Sequence, residues 1–306
     1  MVYYEIGNVI KRLRKQRGMT QEELAGLLMN RATLSKIESG SSIPSKRVLR
    51  LLLEKLCFDS TNVSAFFLSD EDVKYQRLMD DIDSRLAYGK YEEAEKLIAV
   101  LENDIEFMKS NFNAQYIQIS KALIQYHEAD DIMIFLDLLI DAIKITIPTF
   151  AIDKISEYFL SKQEITIINK IAKCYRDNEQ LDVSISILTA LKENFDNKKY
   201  LDKDFKGKYY SFILNSLAFY LSHAEKHNEA IEICDKGIEV CRSTGYLFRL
   251  PHFIFDKAVS LYALDSKEEA ERLMKMAYNG FLMYDQSKSA LEAKEFALEK
   301  FGIVLQ

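Results

Sequence analysis

The residues of this chain best placed to do chemistry make hydrogen bonds rather than break covalent ones. Asn30, Arg31, Thr33, Ser35 and Lys36 fall within one short stretch. Arg presents a planar fork of donors that matches guanine O6 and N7, and an Asn carboxamide matches the adenine edge. A second set lies far downstream, where Asn169 and Asn215 each stand three residues before an alanine, Ala172 and Ala218. An Asn side chain offers a donor and an acceptor, so it can hold a peptide backbone whatever its sequence. Nucleophilic and metal chemistry is not indicated. The chain has no phosphate-loop GxxxxGK, no HExxH and no nucleophile elbow. Cys57, Cys174, Cys234 and Cys241 form no CxxC pair and have no His cluster beside them, which favours buried thiols over a zinc site. The carboxylate pairs Asp80–Asp81 and Asp130–Asp131 are expected at helix ends or turns, where acidic side chains are ordinary. No catalytic residue, metal or cofactor is expected, and the chain is not expected to be an enzyme.

Helices must position these residues. Three prolines and 10 glycines in 306 residues leave long uninterrupted stretches, and no bounded run alternates apolar and polar residues. The fold class is therefore all-α. A first helix is predicted from about Ile6 to Arg17, with Ile6, Val9, Ile10 and Leu13 on its apolar face and Gly18 as its stop. Thr20-Gln-Glu-Glu23 reads as a capping box that opens a second helix with Leu24, Ala25, Leu27 and Leu28 inward. A third helix spans Arg31–Glu38, its Leu34 and Ile37 inward and its polar residues outward. Pro44 is expected in the first turn of a fourth, Leu-rich helix. Residues 1–56 hold 11 Lys/Arg against 5 Asp/Glu, which leaves 30 against 42 for the rest. A basic head on an acidic body suits a head that meets phosphate.

G-M-T-Q-E-E-L-A over 18–25, L-S-K-I-E-S-G over 34–40, then Pro44 and a Leu-rich helix resemble the Cro/C1-type (XRE) helix-turn-helix. The turn before the third helix is one residue shorter than the commonest family pattern. The resemblance implies a recognition helix in the major groove of double-stranded DNA, with Asn30, Arg31, Thr33, Ser35 and Lys36 at base edges or backbone. It also implies a phosphate contact from Gln21, and a structural pairing of Glu38 with an Arg of the first helix, for which Arg14 is the candidate. Thr33 could equally be a helix former on a solvated face.

The acidic body contains a repeat. Ala218, Ala230 and Gly237 are spaced like Ala258, Ala270 and Ala277, and more weakly like Ala172, Ser184 and Leu191; Gly89-Lys-Tyr-Glu-Glu-Ala94 is a fourth fragment. Small residues 12 and then seven apart resemble the tetratricopeptide repeat, whose helical hairpins stack with small residues at the close crossings. The stretches near Pro148 and over Phe195–Phe205 fit this repeat poorly. A right-handed superhelix of degenerate hairpins is expected over 73–306, after an XRE-type domain over 1–58 and a linker over 59–72. Besides Asn169 and Asn215, the residues assigned to the inner face are Lys173, Arg176, Phe212, Phe219, His223, His252, Phe255, Val259 and Tyr262. Each Asn could instead satisfy backbone groups between repeats.

Head and array together, with I-x-N-x-I-A-x-x-Y over 167–175, resemble the RRNPP regulators (PlcR-, Rgg- and PrgX-like). What that resemblance implies is quorum sensing: a cytoplasmic homodimer that binds an operator and a short signalling peptide, with Asn169 and Asn215 on the peptide backbone and no membrane segment. The alternative is a helix-turn-helix regulator or phage-type repressor that answers to a protein partner or to no ligand.

Overall fold

The computed structural model describes residues 2–56, 70–197 and 201–305. Most of the expected 59–72 linker, and Cys57, lie outside the described residues. By contact the chain divides into two compact units, Met1–Asn178 with Asp196–Asp202, and Glu179–Phe195 with Lys203–Gln306. The head and the first hairpins thus fall in one unit.

The first unit begins with α1 (Val2–Gln16), α2 (Gln21–Ala25), α3 (Arg31–Glu38) and α4 (Lys46–Lys55). Each boundary has a local cause. Past the end of α1, Gly18 takes φ +70°, the left-handed conformation that a side chain disfavours. Thr20 accepts from the Glu23 N–H at 3.1 Å while the Glu23 carboxylate accepts from the Thr20 N–H at 2.6 Å, closing the capping box. Pro44 precedes the fourth helix instead of sitting in its first turn; Ser45 does the capping, its Oγ accepting from the Val48 N–H. Ile10, Leu24, Leu34, Ile37, Leu52 and Leu56 form the core. Each such side chain, fully buried, contributes roughly 1.5–3 kcal/mol. Val9 and Leu27 are exposed, so the apolar faces are narrower than the sequence pattern suggests.

After the head come α5 (Asp70–Ala87), α6 (Tyr91–Glu102), α7 (Ile105–Met108), α8 (Asn111–Ala129), α9 (Ile132–Lys144) and α10 (Lys162–Asp177). Ile82, Ala94, Ile98, Leu101, Phe107 and Ile117 are buried together among α5–α8. The Pro148 stretch is a turn and a 3-10 helix, Ile152–Glu157, which explains its misfit to the repeat. Asp80 and Asp81 lie within α5 rather than at its end. Asp130 and Asp131 are at a turn: Asp130 has φ +49° and Asp131 caps α9 by accepting from the Met133 and Ile134 N–H groups.

The second unit contains α11 (Leu181–Asp196), α12 (Ser211–His223), α13 (His227–Thr244), α14 (Leu250–Ala263), α15 (Lys267–Met283) and α16 (Ser287–Phe301). A short turn of helix, Lys203–Phe205, and a π-helical turn, Lys206–Tyr210, lead into α12. From α12 onward consecutive helices pack together as hairpins. The repeat positions have the burial that the repeat requires: Ala218, Ala230, Ala258, Ala270 and Ala277 are wholly buried, and Gly237 is buried as well. A Cβ at Gly237 would lie 2.2 Å from the Phe253 ring, so this crossing admits only glycine without repacking. Glu179, Glu225 and Asp265, each seven residues after the repeat alanine, all turn with φ of +59° to +65°.

Candidate functional site

The candidate interface is the outward side of α3. Leu34 and Ile37 anchor it to the core. Glu38 anchors it to α1: Arg14 donates to Glu38 through Nε at 2.5 Å and Nη2 at 2.8 Å, and through Nη1 to the Met19 carbonyl at 2.8 Å. Burial works against the Glu38 charge, but the Arg14 and Gln21 hydrogen bonds outweigh it and hold the carboxyl below its ordinary range. The same pair raises the Arg14 pKa, the hydrogen bond to Glu38 being the largest cause. At Gly7 the helices approach so closely that a Cβ would lie 2.2 Å from the Ile37 carbonyl oxygen. These contacts fix α3 from behind and leave Arg31, Ala32, Thr33, Ser35 and Lys36 exposed.

The predicted residues differ in how free they are. Arg31 has only a loose 3.7 Å approach to Glu22, with both side chains largely exposed. Asn30 is the N-cap: its Oδ1 accepts from the Thr33 N–H at 2.8 Å and from the Thr33 hydroxyl at 2.9 Å. A bidentate adenine contact through Asn30 therefore requires that cap to open. Gln21 donates to Glu38 at 2.9 Å, which spends one of its two amide hydrogens. Away from α3, Leu27, Leu28, Val48, Leu51 and Lys55 share a cavity of about 540 Å³ with Ser110, Phe112, Ile147 and Phe159. Phe159 of the same unit also packs against the core of the head.

The array residues fall in both units. In the first, Asn169 is buried and its Oδ1 has no hydrogen-bond partner among the described residues. Lys173 and Arg176 both reach Asp177, at 3.1 and 2.5 Å. In the second, Asn215 is engaged: its Nδ2 donates to Asp256 Oδ2 at 3.0 Å, and its Oδ1 lies 3.4 Å from Arg249 Nη1. Phe212 carries the Arg249 guanidinium on its ring. Phe219 is partly exposed and its ring lies 4.1 Å from that of His223. Phe255 and Tyr262 pack against Phe296 and Phe301 of α16, so the last helix covers part of the face assigned to them. Cys174, Cys234 and Cys241 are buried free thiols, and burial pushes Cys174 and Cys241 up to about 11. Among the described residues no group of His, Cys, Asp and Glu is arranged to hold a metal ion, and no helix is long and apolar enough to cross a membrane.

Residues 10–56 match the family model HTH_3, helix-turn-helix. They are a helix-turn-helix domain. No curated protein matches the chain in sequence. Among solved structures, Bacillus thuringiensis PlcR in complex with the peptide PapR7 and DNA superposes with a TM-score of 0.56 at 20% identity, over 94% of this chain and 99% of that one. Apo PlcR gives 0.58 at 16% identity, over 97% and 99%. A protein of Listeria monocytogenes EGD-e assigned as a transcriptional regulator gives 0.53 at 16%, over 98% and 99%. At these identities the likeness establishes the fold: a helix-turn-helix domain followed by helical repeats.

Proposed function

We propose that the chain is a sequence-specific transcriptional regulator that binds a double-stranded operator through α3 as a cytoplasmic homodimer. We further propose that its array takes a short signalling peptide, as in quorum sensing. The observation that carries the DNA reading is the state of α3. It is clamped from behind by a buried Arg14–Glu38 pair and presents Arg31, Thr33, Ser35 and Lys36 outward, exposed among the described residues. A single α-helix braced in this way fits the major groove, and a dimer reads two half-sites about one turn of DNA, roughly 34–36 Å, or a multiple apart. Arg31 takes guanine bidentately, and Lys36 and Gln21 hold phosphate. Two things support the peptide reading. PlcR, whose fold spans 94% of this chain, has been solved with a peptide and DNA. Asn169 offers a buried, unpartnered carbonyl oxygen, an arrangement that costs about 1–3 kcal/mol unless a ligand donates to it. A peptide that binds one conformer of the array better than another shifts the spacing of the heads by that difference.

The experiment is selection of bound fragments from genomic DNA by the purified chain, followed by titration at rising salt. Affinity for the selected site falls steeply with salt, and Arg31→Ala loses discrimination between that site and random DNA while keeping weak binding. Salt-independent binding, or an Arg31→Ala variant as selective as wild type, overturns the reading.

A further inference from the structure

In the second unit the sequence pattern singles out Asn215 but not its neighbour Arg249. Arg249, at the N-terminus of α14, lays its guanidinium 4.8 Å from the centroid of the Phe212 ring and points Nη1 at Asn215. Among the described residues its buried Nε has no hydrogen-bond acceptor. His252 Nδ1, one turn along α14, is also buried without a partner. Asp256 is not the missing counter-ion. It is joined to the group only through Asn215, and burial pushes its carboxyl up to about 7. Nor does His252 compete for an anion as a cation. Burial, then the nearby Arg249 charge, push it down to about 4. Burial lowers the Arg249 pKa too, yet a guanidinium keeps its proton, so this position carries a desolvated positive charge whose Nε–H has no acceptor among the described residues.

Such a charge is stabilised by an anion that offers two coplanar acceptors, and a carboxylate does this bidentately. We infer that Arg249, flanked by Asn215 and His252, is a carboxylate-binding position that anchors the ligand of the array through a terminal or side-chain carboxylate of a short peptide. The inference rests on the peptide reading above and deepens it by naming what the peptide must carry.

The test uses the full chain and four pools of short synthetic peptides of random sequence. The pools have either a free or an amidated C-terminus, with or without Asp and Glu in the random positions. Retention by the immobilised protein is read by mass spectrometry. The expected result is that pools carrying a carboxylate are retained at least about tenfold better than the amidated, acid-free pool, the scale of one charge-assisted contact. The free-acid pool without Asp or Glu reports a terminal carboxylate, and the amidated acidic pool reports a side chain. Arg249→Gln removes the difference but leaves residual binding, and Arg249→Lys restores part of it. Equal retention of all four pools by wild type overturns the carboxylate position and leaves the peptide reading standing. Retention of none overturns the peptide reading and this inference with it. The wild-type comparison stands even if the Arg249 variants fail to fold.

Discussion

Replacing Arg14 by Met isolates what the buried ion pair does for the helix-turn-helix domain. The Arg14 and Glu38 side chains are 9% and 2% exposed, and three hydrogen bonds leave Arg14. In Arg14→Met all three vanish, and the Glu38 carboxylate stays buried with Gln21 as its remaining side-chain donor among the described residues. Stranding one partner of a buried pair costs about 3–5 kcal/mol, because the other charge loses its compensation. That is a large share of the roughly 5–15 kcal/mol that holds a domain folded. Adding Glu38→Leu removes the stranded charge, so the double variant recovers most of the loss. The assay is native-state hydrogen exchange of the α3 amides in the full chain, which reports the opening free energy of this helix separately from the array. The reasoning is refuted if Arg14→Met opens within about 1 kcal/mol of wild type, or if the double variant is as weak as the single one. The pH dependence gives a second check. Burial opposes the Glu38 charge but the Arg14 and Gln21 bonds win, so its folded pKa is depressed. The contribution is therefore complete above the unfolded value of about 4.3 and is lost as pH falls through the folded value, so wild type and Arg14→Met converge in acid.

Three further outcomes follow from particular residues. Gly237→Ala places a methyl 2.2 Å from the wholly buried Phe253 ring; it lowers the thermal midpoint of the second unit by the equivalent of about 1–3 kcal/mol, and an unchanged midpoint contradicts the close crossing. Glu225→Gly relieves a left-handed residue at φ +59° and raises the midpoint by up to about 1 kcal/mol, the gain being offset in part by the entropy of glycine. Asp256 has a folded pKa raised to about 7 by burial, so its unfavourable effect grows as pH rises from about 3.9 through 7. Asp256→Asn keeps an acceptor for Asn215 and is more stable than wild type at about pH 8, with the advantage gone near pH 4; a constant difference across that range contradicts the assignment.

The head was legible because its signals are local. A capping box, a stop glycine and two inward residues of α3 lie within a few positions of the structures they cause. Even the Arg14–Glu38 bond, 24 residues apart, could be named, since the resemblance supplied the pairing. What the sequence concealed is what depends on long-range approach. Nothing near Gly7 shows that its missing Cβ admits the Ile37 carbonyl, and nothing near Pro44 shows that Ser45 caps the helix instead. In the array, the spacing of small residues carries the repeat, since each is a crossing point of two helices. The inner faces were less readable. Asn169 and Asn215 occupy equivalent positions in the pattern, yet one has an unpartnered oxygen and the other is held by Asp256 and Arg249. Arg249 stands outside the repeat alignment, in the turn before α14, and only tertiary packing brings it to Asn215.

In the function proposed above, α3 reads DNA under control of a peptide held by the array. The most direct test is the affinity of the full chain for its selected operator, measured with and without peptides captured from the producing culture, for wild type and Asn169→Ala. The expected result is that peptide changes operator affinity of wild type by about 5–150-fold, the usual range of a coupling of about 1–3 kcal/mol, and leaves Asn169→Ala unchanged although it still binds DNA. Tight operator binding that no peptide alters, or an equal response from both proteins, contradicts it.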